Sequence, residues 1–71
     1  PPGWTEECPG RWVKYRDRWR LTAIQYQPGG PWRWGCSWWP ANNPSYDGEA
    51  SSPSACAALA EDAYTNREEV R

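Results

Sequence analysis

Hydrophobic and polar residues alternate along two neighbouring segments, and this alternation predicts two β-strands. Over residues 32–39, the even positions are Trp, Trp, Cys and Trp, and the odd positions are Arg, Gly, Ser and Trp. Residues 18–27 alternate in the same way, with Trp, Leu and Ala on one face and Arg, Thr, Ile and Tyr on the other. One face of this pair is therefore predicted to cover a core. The PGGP at 28–31 predicts the hairpin loop between the two strands, because glycine adopts the positive φ angles of tight connections.

A longer period in residues 52–70 predicts a helix. Ser52 can cap its N-terminus, Pro53 suits the first helical position, and several alanines follow. A stripe at the spacing of one helix face contains Cys56, Leu59, Ala60 and Ala63, extended by Arg67 and Val70. Its small side chains are predicted to let the helix lie close to a tryptophan-rich sheet.

The elements together predict an α+β fold, in which a three-stranded antiparallel sheet carries one C-terminal helix packed on one face. The first strand is predicted at RWVKYR, residues 11–16, and a fourth short strand is the alternative for residues 46–50. Residues 11–71 would then form a single small domain. Residues 1–10 contain three prolines and two glycines, which predict an irregular N-terminal arm.

The composition indicates that aromatic residues supply most of the core. A chain of 71 residues buries only about 60% of its unfolded surface, so large side chains are needed to stabilise it. Seven Trp and four Tyr are present, but there is no Phe and no Met. Some of the tryptophans are therefore expected to be structural rather than exposed for a partner.

Charge is unevenly distributed along the chain. Residues 11–40 contain six basic residues and one acidic residue, whereas residues 41–71 contain two basic and six acidic residues. This asymmetry predicts a basic face and an acidic face. The alternative is a soluble protein whose charges are distributed this way by chance.

The residue types do not favour catalysis or metal binding. The chain contains no His, no G-x-S-x-G motif and no C-x-x-C pair. We therefore predict a non-enzymatic protein without a cofactor or a metal. The three cysteines are expected to be reduced thiols that pack as small hydrophobic residues, and a Cys36–Cys56 disulfide is the alternative.

The location expected from the sequence is the cytoplasm. No apolar run approaches the ~18–20 residues of a membrane span, and the N-terminus lacks the plan of a signal peptide. Pro at position 1, with no Met in the chain, fits removal of an initiator residue from an intact cytosolic product. No membrane partner is predicted.

A protein partner is the leading functional hypothesis, because Trp, Tyr and Arg are enriched in interface hot spots. Trp39 follows Trp38 directly, so in a straight strand it must point to the opposite face. Coverage of Trp39 by the N-terminal arm or by the 41–47 loop is the alternative to exposure. The candidate contact residues are Trp39, Arg33, Arg18, Arg20, Trp12 and Tyr15.

Two other functions use the same residues differently. A single-stranded nucleic-acid binder would stack bases on Trp12 and Tyr15 beside the arginines, at about 1–3 kcal/mol per base. The same basic and aromatic residues could instead stack on one another and only stabilise the sheet. A minor structural subunit of a virion is a further alternative.

The pattern RWRLTAIQYQPGGPWRWGCSWW, followed by GEASSPSACAALAEDAY, resembles short β-β-β-α proteins of actinobacteria and their bacteriophages. The resemblance covers residues 18–65 and implies a fold and an origin rather than an activity. Many phage products of this size bind and inhibit a host protein. By analogy with such products, the expected role is that of a phage-encoded inhibitor, of the counter-defence type, that acts in the host cytoplasm.

Overall fold

The computed structural model describes residues 2–39 and 44–67, and it confirms the α+β class. Five antiparallel strands form one sheet, and a helix packs on it. The elements are β1 (Thr5–Cys8), β2 (Arg11–Arg16), β3 (Trp19–Gln25), β4 (Trp32–Trp38), β5 (Ser45–Ala50) and α1 (Pro53–Thr65). The count of five strands corrects the three or four predicted from the sequence.

The strands follow one another across the sheet in chain order, and short connections join the first four of them. Two residues, Asp17 and Arg18, join β2 to β3, and Asp17 adopts a left-handed φ of 54°. Asp is among the few residues other than glycine that tolerate this conformation. The predicted PGGP hairpin joins β3 to β4, with Gly29 at a φ of 76°.

The two additional strands lie at the two edges of the sheet. Strand β5 occupies the segment for which a fourth strand was the alternative. Strand β1 lies within residues 1–10, which were predicted to be irregular, and all four of its side chains are exposed. The sequence of β1 shows no apolar alternation. The strand is held in place by the pairing of its backbone with β2. Trp4, immediately before the strand, is buried in the core.

The register between β3 and β4 confirms the alternation of faces. The pairs Trp19↔Trp38, Leu21↔Cys36 and Ala23↔Trp34 lie on the side covered by α1, which we call the core face. The intervening pairs point to the other side, which we call the open face. The open face comprises Arg11, Val13 and Tyr15 of β2, Arg20, Thr22 and Ile24 of β3, Arg33, Gly35 and Ser37 of β4, and Ser45, Asp47 and Glu49 of β5.

Helix α1 begins as predicted and buries Cys56 and Ala60 of the predicted stripe, but not Leu59. Ser52 caps the helix and accepts a hydrogen bond from the backbone N–H of Ala55 at 3.1 Å. The buried helical residues are Cys56, Ala57, Ala60 and Tyr64. Leu59, which was predicted in the stripe, is 41% exposed. The small side chains of Cys56, Ala57 and Ala60 leave room between helix and sheet, and the tryptophans of the sheet fill it. Tyr64 is the one large side chain among the buried helical residues. Val70 lies outside the described residues.

Trp19 lies at the centre of the core and is 2% exposed. Its ring centroid lies 5.9 Å from that of Trp38, 6.3 Å from that of Tyr46 and 6.4 Å from that of Tyr64. Sheet and helix therefore meet around one tryptophan, as expected for a small domain whose core is aromatic.

Charged contacts also join the helix to the sheet. Glu61 of α1 accepts a hydrogen bond from Lys14 at 2.7 Å and another from Arg16 at 3.0 Å. The hydrogen bond from Lys14, with that from Arg16, lowers the pKa of the Glu61 carboxyl, although partial burial opposes the change. Two basic residues of β2 thus share one carboxylate of the helix. In the described ranges, no helix is long and apolar enough to cross a bilayer.

The three thiols are unpaired and differ in accessibility. Cys8 is exposed, whereas Cys36 and Cys56 are fully buried between sheet and helix. Burial raises the pKa of Cys36 to about 11 and also raises the pKa of Cys56. The thiolate is the reactive form, so both buried thiols are expected to be inert in the folded protein.

We expect a thiol reagent to modify Cys8 alone in the native protein and all three cysteines in denaturant. Ellman's assay with mass spectrometry, performed before and after addition of urea, measures the number of modified cysteines in the native and in the unfolded protein. Modification of Cys8 alone in denaturant would instead mean that Cys36 and Cys56 form a disulfide.

Candidate binding surface

The open face of the sheet is the candidate functional surface, because α1 covers the other face. Three aromatic side chains are exposed on it or at its margin: Tyr15 at 55%, Tyr26 at 72% and Trp39 at 37%. Tyr15 lies on β2, Tyr26 directly follows β3 and Trp39 directly follows β4. Exposed aromatic residues beside arginines are the composition found at the centre of protein interfaces.

Trp39 and Arg20 contact each other at the margin of this surface. The backbone N–H of Trp39 donates to the carbonyl of Arg18 at 2.7 Å and so extends the pairing of β4 with β3. The Trp39 ring lies over the Arg20 guanidinium, whose carbon is 4.0 Å from the ring centroid. Trp38 packs against Trp19 on the core face. The two consecutive tryptophans therefore point to opposite faces, as the alternation predicts.

The other two arginines of the open face are paired with carboxylates. Arg33 contacts Glu49 at 3.0 Å across β4 and β5, and Arg11 contacts Glu7 at 3.0 Å. Exposed pairs of this kind contribute little to stability, about 0–1 kcal/mol, but they neutralise both arginines. Within residues 2–39 and 44–67, no carboxylate forms an ion pair with Arg20.

A polar groove of about 220 Å³ crosses the middle of the open face. Gly35 lies in it, and a Cβ added there would be 2.8 Å from Oγ1 of Thr22, so glycine keeps the groove open. A hollow of about 430 Å³ adjoins Thr5 and Tyr15, and one of about 190 Å³ lies beside Tyr26 at the hairpin. The face is therefore uneven enough to receive side chains of a partner.

The structure divides the six candidate contact residues between two regions. Trp39, Arg33, Arg20 and Tyr15 belong to the open face or its margin. Arg18 lies in the β2–β3 turn, with its guanidinium carbon 5.4 Å from the centroid of Trp38. Trp12 pairs with Ala23 and packs against the core. Trp12 thus lies on the core face, away from the other aromatic candidates.

Arg11, Thr22 and Asp47 belong to the same groove but were not among the candidates. Arg11 and Asp47 lie on strands whose register with β3 and β4 is set by tertiary pairing. Arg11 pairs with Ile24, and Asp47 pairs with Gly35. Thr22 lies two residues after the candidate Arg20 on β3 and therefore on the same face, so strand periodicity could have identified it.

Basic and aromatic residues that alternate in the sequence do not form one continuous track. Four tryptophans of this basic and aromatic pattern lie on the core face: Trp12, Trp19, Trp32 and Trp34. Lys14 and Arg16, which lie between them in the sequence, pair with Glu61 of the helix. Much of the basic aromatic pattern therefore serves contacts between sheet and helix.

Among the described residues, no group of three or more Cys, Asp or Glu side chains is placed to hold a metal ion. Comparisons of the chain with protein-family models, curated proteins and solved structures found no match. The resemblance to short β-β-β-α proteins of actinobacteria and their phages stays a prediction. The functional argument therefore rests on the residues of the open face.

Proposed function

We propose that this chain is a small, non-enzymatic protein-binding module and that the open face is its contact surface. The stack of Trp39 on Arg20 carries the proposal, because it presents an aromatic ring and a guanidinium together at the margin of the sheet face that the helix leaves uncovered. Trp, Tyr and Arg contribute most of the binding free energy at protein interfaces, where a few central residues dominate.

The charge of this surface favours a protein partner over a nucleic acid. Carboxylates pair with Arg11 and Arg33, and Asp47 adds a further negative charge to the groove. Affinity for nucleic acids depends mainly on positive groups that neutralise phosphates. A mixed surface of aromatic, polar and paired charged groups instead resembles the rim and core of a protein interface.

The narrower form of the proposal is a phage-encoded inhibitor of a host protein, acting in the host cytoplasm. Its support is an analogy: the sequence resemblance over residues 18–65 implies a phage or actinobacterial origin, and many phage products of this size inhibit host proteins. A minor virion subunit would use the same face to bind its neighbours in the particle. Detection of the protein in purified virions would favour that structural role over inhibition.

Affinity capture with matched variants tests the proposal. A tagged wild-type chain is expected to capture a protein that the Tyr15→Ala, Trp39→Ala double variant loses. Leu59→Ala is the matched control, because Leu59 is a comparably exposed apolar residue on the helix, on the far side of the molecule from the open face. With the purified partner, calorimetry should show at least about tenfold weaker binding for the double variant.

Equal binding by the wild-type chain and the double variant would overturn the assignment of the open face. Titration of an oligothymidylate against tryptophan fluorescence tests the nucleic-acid alternative. Strong quenching that disappears steeply with added salt would favour that alternative over a protein partner.

A further inference from the structure

Arg20, which lines the groove on the open face, has a buried hydrogen-bond donor without a described partner. The Nε atom of this residue is buried, and it has no hydrogen-bond partner among the residues that the structure describes. An unsatisfied buried donor is unfavourable, and a charged one more so. The side chain as a whole is only partly buried, so an external acceptor can approach the guanidinium from the groove.

Three basic residues line the groove, and two of them are already paired with carboxylates. Arg11, Arg20 and Arg33 line it together with one carboxylate, Asp47. The carboxylates that pair with Arg11 and Arg33 are Glu7 and Glu49, and neither of them lines the groove. Arg20 is therefore the basic residue of the groove without a described ion pair, and it is the one available to a negatively charged group.

We propose that the groove binds a carboxylate of an acidic segment of the partner protein, with Arg20 as its anchor. The proposal rests on the protein-binding function and specifies the chemistry of the partner. Arginine binds carboxylates through the planar fork of its Nε and Nη donors, in charge-assisted hydrogen bonds. The stack on Trp39 holds the guanidinium plane in place, so less side-chain entropy is lost on binding.

The Trp39 ring lies beside the proposed contact. Trp39 is 37% exposed, and it lies at the end of β4 rather than within the ladder. Its stack on the Arg20 guanidinium places the indole against the group that a bound carboxylate would contact. Binding should therefore change the environment of the Trp39 indole as well as that of Arg20.

Titration of the ¹⁵N-labelled full chain with a blocked triglutamate peptide tests the proposal by NMR. We expect saturable shifts of the Arg20 Nε–H and Trp39 indole N–H resonances, and no shift with a blocked triglutamine peptide. Arg20→Lys keeps the charge but removes the fork, so it should weaken binding about tenfold. Arg18→Lys is the control, because Arg18 lies in the β2–β3 turn and does not line the groove.

A second variant changes the affinity in the opposite direction. Asp47→Asn removes the one carboxylate of the groove, so it should bind triglutamate several-fold more tightly. Unmoved Arg20 and Trp39 resonances at low salt would overturn the proposal. Equal effects of Arg20→Lys and Arg18→Lys would also overturn it.

Other ligands give distinct results. Larger shifts with inorganic phosphate or oligothymidylate than with triglutamate would overturn the proposal that the groove binds a carboxylate, and would favour a phosphate ligand. Shifts that follow protein concentration without peptide would overturn it in favour of a second copy of this chain. If capture of a partner depends on Tyr15 and Trp39 while triglutamate fails, the protein-binding function stands and only the acidic chemistry is lost.

Discussion

Trp19→Ala is expected to destabilise the protein by about 3–5 kcal/mol, because it removes the ring around which sheet and helix pack. Trp19 is 2% exposed and contacts Trp38, Tyr46 and Tyr64. Small domains are stable by only about 5–15 kcal/mol, so this loss would leave a large fraction of the chain unfolded. Urea unfolding followed by far-UV circular dichroism, with linear extrapolation to water, measures the free energy of unfolding.

Trp39→Ala is the matched control for this experiment. The same ring is removed from the open face, where its described contact is the stack on Arg20. A cation–π contact at an exposed site contributes about 0.5–1 kcal/mol, so the control should remain folded. Equal losses of stability in the two variants would contradict the division of the tryptophans between core and surface.

Gly48→Ala is expected to destabilise the protein by about 1–2 kcal/mol, although alanine usually stabilises a strand relative to glycine. A Cβ at this position would lie 2.7 Å from Nε1 and 3.1 Å from Cε2 of Trp34, which pairs with Gly48 across β4 and β5. Packing a methyl group against this ring costs more than the ~0.5–1 kcal/mol gained from the backbone.

The contact with Trp34 can be isolated by a double-mutant cycle. In the Trp34→Ala background the ring is absent, and Gly48→Ala should then be neutral or stabilising. The same urea titration measures both effects. A destabilisation by Gly48→Ala that persists in this background would show that the backbone, rather than the ring, excludes a side chain at this position.

The paired charges explain why the uneven charge of the chain does not produce a strongly basic face. Glu61, from the acidic half, pairs with both Lys14 and Arg16 across the helix–sheet contact and offsets one of their two charges. Glu49, from the same half, pairs with Arg33 across two strands. The asymmetry along the sequence is thus largely cancelled in three dimensions, and Arg20 is left as the basic residue of the open face without a described ion pair.

Local patterns predicted the elements whose signals lie within a few consecutive residues. Alternation with a period of two identified the faces of β3 and β4, because successive side chains of any strand point in opposite directions. Ser52 and Pro53 marked the start of α1, since capping depends only on neighbouring residues. The PGGP loop and the division between Trp38 and Trp39 were predicted for the same reason.

Features that depend on contacts between distant segments could not be predicted in this way. Strand β1 is polar and exposed, and it forms because the edge of β2 offers backbone partners. The helix turns Tyr64 inward and Leu59 outward because the space that it covers is shaped by tryptophans of the sheet. Periodicity along one helix cannot reveal the shape of the surface on which it packs.

The candidate surface shows the same division. The sequence alone determined that Trp39 and Arg33 point away from the core, because strand periodicity decides the face of each side chain. Only the tertiary structure decided that Trp12 packs inward, that Arg11 and Arg33 find carboxylates and that Arg20 does not. Those outcomes depend on which side chains are brought together across neighbouring strands, and pairing of this kind is a property of the folded chain.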